Sequence, residues 1–340
     1  PTMIRMMEDM TGIDAKTIPL DDKDTMSIFI SSKVLGYEDD KILGPTGAVA
    51  IPEFNTRFTR GMLMDTMPTR FDTLLRLSGF SHGTDVWLGN AKDLITSKTA
   101  TVDQAIGCRD DIMLYLISCG MPEKRSFKIM EAVRKGRGLP EGAEEEMKAA
   151  GVPEWYIGSC KKIKYLFPKA HAVAYVLSAY RIAYCKVHHP REFYAAYFTV
   201  RAPHFDYALV HKGLDYMKRF IKNVTAQGTK ASVNDKDAAT YMELCVEMLE
   251  RGFVFENVDL YKSDAHRFLV TEKGLLPPLG AIGGIGGVAA EGIVEARKKG
   301  PFISQEDLRN RAKISTANVE ILDELGILEG MPKTDQIELF

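Results

Sequence analysis

LGAIGGIGGVAAEGIVEAR, residues 279–297, sets five glycines (280, 283, 284, 286 and 287) in front of a helical pattern. Within it GIGGVA, Gly284 to Ala289, fits the glycine spacing that cradles a dinucleotide pyrophosphate. It equally fits a glycine hairpin between two helices that grips a DNA backbone. The flanks separate the two readings. A dinucleotide fold needs a hydrophobic strand running into the first glycine and a second strand carrying an acid about 20 residues on. Here LPPL, a proline-started helical turn, precedes the glycines, and KKGPFISQEDL, a helix start with Ser304 as its N-cap, follows the second helix. The pattern is helix, Gly-x-Gly hairpin, helix. Backbone amides of Gly283, Gly284, Ile285, Gly286 and Gly287, at the start of the next helix, can then point at a phosphate, with Arg297, Lys298 and Lys299 adding contacts. A tight turn required only by packing is the alternative. STANVEILDELGIL reads as a degenerate partner unit without the glycine pair.

Outward from the hairpin, 340 residues are long for one domain and comfortable for two. Lys and Arg number 44 against 46 Asp and Glu, a net charge of -2, so any nucleic-acid surface is a local patch. The five cysteines (108, 119, 160, 185 and 245) are odd in number and form no CxxC pair, which argues against a disulfide framework and a structural zinc site and for a reducing cytoplasm. No apolar run reaches the roughly 18 residues of a membrane span. The start, PTMIRMMEDMTGID, has no initiator Met and no signal layout, as expected of a piece of a longer protein.

Most of the chain reads as helix. DDIMLYLISCG and SFKIMEAVRKGRG end in Gly120 and Gly136 as glycine-capped helices do. The longest helical pattern, AHAVAYVLSAYRIAYCKV, enters after Pro168 and stops at His189-Pro190. The acidic EGAEEEMKAAG reads as a solvated helix face. Composition shifts after about residue 203, and a domain boundary is expected near 205. FVFENVDLY and HRFLVTEKGLL are expected to be two short strands joined by the polar KSDA. The expected fold is therefore mainly α, with one small β-hairpin.

Two further constellations carry possible chemistry. VRKGRG and CKKIKYLFPKAH are basic, and Lys169 and His171 stand at the dipole-favoured start of the apolar helix with Tyr175 on the same face. Together they can hold a triphosphate and a base; the alternative is core packing with solvated lysines. SGFSHGTDVWLGNA, residues 78–91, reads as a tight loop holding His82. Its Ser81, His82 and Asp85 do not make a hydrolase triad, because no GxSxG elbow is present. Asp-Asp pairs at 21, 39 and 110 fall in turns or helix starts, where capping explains them.

KAHAVAYVLSAYRIAYCKVHHPREFYAAYFTV resembles the fingers of the C-family bacterial replicative polymerases, the DNA polymerase III alpha subunits. LSGFSHGTDVWLGNA, CRDDIMLYL, FKIMEAVRKGRGL, VPEWYIGSCKKIKYLFPKAHA and YFTVRAPHFD narrow the resemblance to the PolC type of Gram-positive bacteria, from residue 1 to residue 340. The resemblance implies polymerase fingers over 1–205, a helix-hairpin-helix duplex-binding domain over 206–332 and a flexible sliding-clamp-binding tail over 333–340. It makes Arg134, Lys135, Lys169, His171 and Tyr175, with Ser78 and His82, candidates for holding the incoming dNTP and the templating base. It makes Gln336, Ile337, Glu338, Leu339 and Phe340 a clamp-binding peptide, whose Leu and Phe can bury in a partner groove. The implied partners are template-primer DNA, dNTP, the sliding clamp, the remaining polymerase domains and the clamp loader or replisome.

Polymerases of this family hold two Mg²⁺ on three palm aspartates, and no such motif occurs in the sequence; in family order the palm comes first, its last aspartate just before residue 1. The PHP and exonuclease domains are not recognised either. The expectation is a chain that binds substrates without a catalytic residue or metal ligand of its own. Rival readings are a non-catalytic DNA-binding scaffold that uses the hairpin and the tail, and a dinucleotide-dependent oxidoreductase resting on GIGGVA alone.

Overall fold

A computed structural model describes residues 2–38 and 41–334. In chain order its helices are α1 (Thr2–Thr11), α2 (Lys23–Ser27), α3 (Arg57–Thr66), α4 (Phe71–His82), α5 (Lys92–Thr96), α6 (Arg109–Ser118), α7 (Glu123–Arg134), α8 (Ala143–Ala149), α9 (Glu154–Lys162) and α10 (Lys169–His188). There follow α11 (Pro190–Arg201), α12 (Tyr207–His211), α13 (Leu214–Gln227), α14 (Val233–Glu250), α15 (Gly287–Arg297), α16 (Gln305–Ala312) and α17 (Thr316–Glu324). Three short strands, β1 (Val254–Phe255), β2 (Leu269–Val270) and β3 (Gly274–Leu276), make the one sheet among the described residues.

The chain divides into two compact units. One holds the described residues within 16–39 and 45–187, the other those within 1–15, 40–44 and 188–340. The division at 187/188 falls before the expected boundary near 205. The reason lies in α11: PREFYAAYFTVR buries Phe193, Tyr194, Ala195, Ala196, Tyr197 and Phe198 and lies against α1, β2 and β3, so it belongs to the core of the later unit. The first fifteen residues join that unit through the same helix.

In the unit of residues 16–39 and 45–187, α6 packs on α7, and α10 supplies the central apolar stripe Ala172, Val176, Ala179, Tyr180 and Ala183. Lys186, also on α10, is fully buried, and its ammonium donates to the carbonyls of Gly47 (2.7 Å) and Val49 (2.6 Å). A buried cation is tolerated when such acceptors replace its water. The loop it holds is itself core: Ala48, Val49, Ala50, Ile51 and Phe54 are all buried. Residues Ser78–His82, expected as loop, form the last turn of α4. There Gly79 admits the Gly107 carbonyl where a Cβ would collide, so the small residues serve close packing between helical segments.

In the other unit α13 pairs with α14, and Tyr194 on α11 donates to the buried Glu247 carboxylate of α14 (2.8 Å), with Arg251 donating to the Tyr194 hydroxyl (3.1 Å). The strand pairing corrects the expected hairpin across KSDA. β2 and β3 pair antiparallel through the turn Thr271–Lys273, and β1 joins β3 in parallel, Val254 opposite Gly274. Residues 259–265 instead fold into side-chain-stapled turns, in which the Asp259 carboxylate accepts from the backbone of Tyr261 and Lys262. Two serine caps fix the last helices: Ser304 accepts from Asp307 N–H and Ser315 from Asn318 N–H, each stabilising its helix by about 1 kcal/mol.

Candidate nucleotide and nucleic-acid sites

The earlier unit gathers the sequence-predicted pocket residues around a short strap, Lys164–Phe167. Thr84 N–H donates to the Tyr165 carbonyl (3.0 Å), Leu166 N–H to the Arg134 carbonyl (3.3 Å) and Arg109 N–H to the Phe167 carbonyl (3.1 Å). The strap therefore ties the residues after α4, the end of α7 and the start of α6 to the entrance of α10. Along it runs a line of rings. His82 and Phe167 have centroids 5.5 Å apart, Phe167 and His171 5.0 Å, and His171 and Tyr175 4.5 Å, with Tyr165 5.2 Å to the side. Phe167, His171 and Tyr175 follow one another at four-residue spacing, which puts them on one face where the helix begins. Tyr175 remains 49% exposed and Tyr165 40%, so the line presents ring surface on which a base can stack.

The cations of this region are organised by a carboxylate that sequence reading passed over. Glu131 accepts from Arg134 through Nε (2.6 Å) and Nη2 (3.1 Å), and Lys135 lies 3.0 Å away. Those hydrogen bonds, Arg134's first, hold the Glu131 carboxyl down at about 2. Lys169 opens α10, its backbone N–H donating to Asp110 Oδ2 (2.8 Å), and it is exposed above a small cleft that also touches Arg76, Asp72 and Asp111. Arg76 donates to Asp111 (3.1 Å) and to the Ala105 carbonyl (2.6 Å).

Ser78 and His82 come together on one partner, Glu53. His82 Nε2 lies 2.5 Å from Glu53 Oε2, and Ser78 Oγ donates to the same oxygen at 3.2 Å. Glu53 has φ of 70°, the left-handed region, which in a non-glycine residue costs of order 1 kcal/mol or more and persists only where the surroundings over-determine it. No sequence signal marks Glu53: it lies 25 residues from Ser78 and 29 from His82, in an apolar loop.

The glycine hairpin lies in the later unit, and neighbours explain all but one of its glycines. A Cβ on Gly280 would press on the Ala265 carbonyl, on Gly283 on the Asp206 carboxylate, on Gly287 on the His266 ring. Gly284 has φ of 89° and faces Ile321, and its carbonyl accepts from Asn318 Nδ2 (2.9 Å). Ile285 is buried and anchors the turn. Gly286 alone among the five has open space where its Cβ would be, with φ of -70° and ψ of 162°, a backbone any residue adopts. It caps α15, whose first residues are exposed, Val288 by 86%.

The basic residues beyond the hairpin are largely spent. Arg297 Nη1 donates to the carbonyls of Leu260 (2.9 Å) and Ser263 (2.7 Å), and burial lowers its pKa, so it braces the 259–265 turns. Lys298 pairs with Glu295 at 2.6 Å. The tail residues Gln336, Ile337, Glu338, Leu339 and Phe340 lie outside the described residues. Among the described residues, no group of three or more His, Cys, Asp and Glu side chains is placed to hold a metal ion, and no helix is long and apolar enough to cross a membrane.

The bacterial DNA polymerase III alpha subunit finger domain matches residues 1–152, and a helix-hairpin-helix motif matches residues 252–336. The chain is 54% identical over all 340 residues to the DNA polymerase III PolC-type of Caldanaerobacter subterraneus subsp. tengcongensis, 53% to that of Listeria innocua and 52% to that of Bacillus subtilis. It spans about a quarter of the length of these relatives, 24% in each case. The chain thus matches a DNA polymerase III alpha subunit finger domain and a helix-hairpin-helix motif, and along every residue it has it is similar to about a quarter of the PolC-type DNA polymerases III.

Proposed function

We propose that the chain provides the substrate-holding part of a replicative DNA polymerase, in which a dNMP is transferred to a primer 3′-hydroxyl under the direction of a template. Residues 1–205 act as fingers. The ring line His82, Phe167, His171 and Tyr175 stacks the incoming nucleotide or the templating base, while Arg134, Lys135 and Lys169 meet its phosphates. Residues 206–332 hold primer-template duplex through the hairpin amides, and residues 333–340 carry the sliding-clamp peptide. The relatives' name supports a polymerase that uses a divalent metal. The described residues do not fit such an ion, so the chain's own share is binding and orientation, which is where much of the catalytic advantage in phosphoryl transfer lies. Five free cysteines support a reducing, cytoplasmic setting.

The observation that carries the duplex reading is Gly286. Packing gives no reason for a glycine there, and its place as the N-cap of α15 is one that Ser, Asn or Asp fills at least as well, whereas a backbone that must approach a phosphate closely calls for glycine. Gly286→Val should therefore cost the fold no more than the about 1 kcal/mol of an apolar N-cap, and weaken binding of the 340-residue chain to a fluorescent primer-template duplex about tenfold, the equivalent of roughly 1.4 kcal/mol. Undiminished affinity with the fold intact would remove the hairpin from the DNA interface. The tail is tested apart from it: removing Gln336–Phe340 should abolish co-elution with the sliding clamp while duplex binding persists, and a clamp that still co-elutes contradicts the peptide assignment.

A further inference from the structure

We propose that Glu53 is a positioning residue of the nucleotide pocket, acting through His82. The inference rests on the reading of the His82-to-Tyr175 ring line as that pocket. A carboxylate only accepts hydrogen bonds, so its contact with His82 Nε2 places a ring proton on that nitrogen and fixes the orientation of the ring. Ser78 Oγ donates to the same carboxylate oxygen and fixes its position from the preceding turn of α4. Ring orientation is then set before any nucleotide arrives, and His82 meets Phe167 at the head of the line.

The loop that carries Glu53 is built to keep it there. Two of its non-glycine residues, Ala50 and Glu53, have positive φ (62° and 70°). Asn55 Oδ1 accepts from Ala50 N–H at 2.6 Å, and the buried Lys186 ammonium clamps the carbonyls of Gly47 and Val49. Ile51 and Phe54, on either side of the Pro52-Glu53 step, are buried, so the loop cannot relax without opening the core. A glycine at 53 would satisfy the backbone more easily; a glutamate held in the left-handed region against that preference points to what its carboxylate touches.

The backbone supplies the control. Glu53→Gly relieves the left-handed strain and removes the carboxylate, so the 340-residue chain should unfold at the same or a higher temperature. If that variant loses its fold, Glu53→Asn, which accepts the same backbone, replaces it. Histidine-selective ¹⁵N spectra should show the His82 ring locked in one tautomer in the parent chain and averaged between two in the variant, with Glu53→Gln, which keeps an acceptor, restoring the locked pattern. The dissociation constant for dGTP should rise about tenfold in Glu53→Gly, and the same substitution in a His82→Ala background should change it no further. An unaltered His82 ring signature, or a loss of dGTP affinity that persists without His82, overturns the positioning role. A parent chain that binds no dGTP while the ring signature shifts as described overturns the nucleotide pocket and leaves Glu53 as a structural partner of His82 only.

Discussion

Glu131 shows how a single carboxylate governs the charge that a phosphate would meet. It holds Arg134 through two hydrogen bonds and Lys135 through an ion pair, so both cations are oriented yet internally compensated. On the proposed nucleotide reading, a triphosphate would compete with Glu131 for them. The same contacts make a statement about stability. The carboxyl sits near 2 in the folded chain against an ordinary value near 4.5, so its stabilisation is fully present above about pH 4.5 and is lost as pH falls towards 2. Glu131→Gln should therefore lower the urea midpoint most between pH 5 and 7, and the gap from the parent should narrow steadily from pH 4.5 downward. A gap that stays constant with pH would mean that the pair contributes nothing through its charge. Much of the effect is screened at this partly exposed site, and it should shrink further in high salt.

At the scale of elements, what was legible in the sequence was what local chemistry dictates. The glycines at 120 and 136 do take positive φ just past α6 and α7, Ser304 does cap α16, and Pro168 and His189-Pro190 do bracket α10. The four-residue spacing of Phe167, His171 and Tyr175 was equally open to reading, and it became a ring line because the helix begins where the proline predicts. What escaped depends on distant partners. The strands of the small sheet are two or three residues long, too short for alternation to reveal that β1 pairs in parallel with β3 across an intervening loop. SGFSH looked like a loop because of its small residues, but Gly79 lies within α4 to admit another backbone, a reason that no local pattern contains. Glu53 is the strongest instance: its role comes from a left-handed backbone and contacts 25 and 29 residues away.

At the scale of the whole molecule, the charge balance limits how DNA can be held. A chain with net charge -2 has no global attraction for a polyanion, so its duplex affinity must come from a local site. At the hairpin the local supply of free cations is small. Arg297 is committed to two carbonyls and Lys298 to Glu295, which leaves the exposed Lys299 beside the neutral amides and the dipole of α15 as phosphate donors. Amides hold a phosphate without displacing as many counterions as lysines or arginines do, and each phosphate neutralised by a cation adds about 0.9 to the slope of log affinity against log salt. The duplex affinity of the 340-residue chain should accordingly fall with a shallow slope of about 1 to 3, a loss of roughly 4- to 60-fold between 50 and 200 mM NaCl. Fluorescence anisotropy across that range measures it directly. A slope near 6 would require a broad cationic face, and it would move the duplex contact from the hairpin to a surface such as that of α13, where Arg219 and Lys222 are exposed, with the exposed Lys212 just before it.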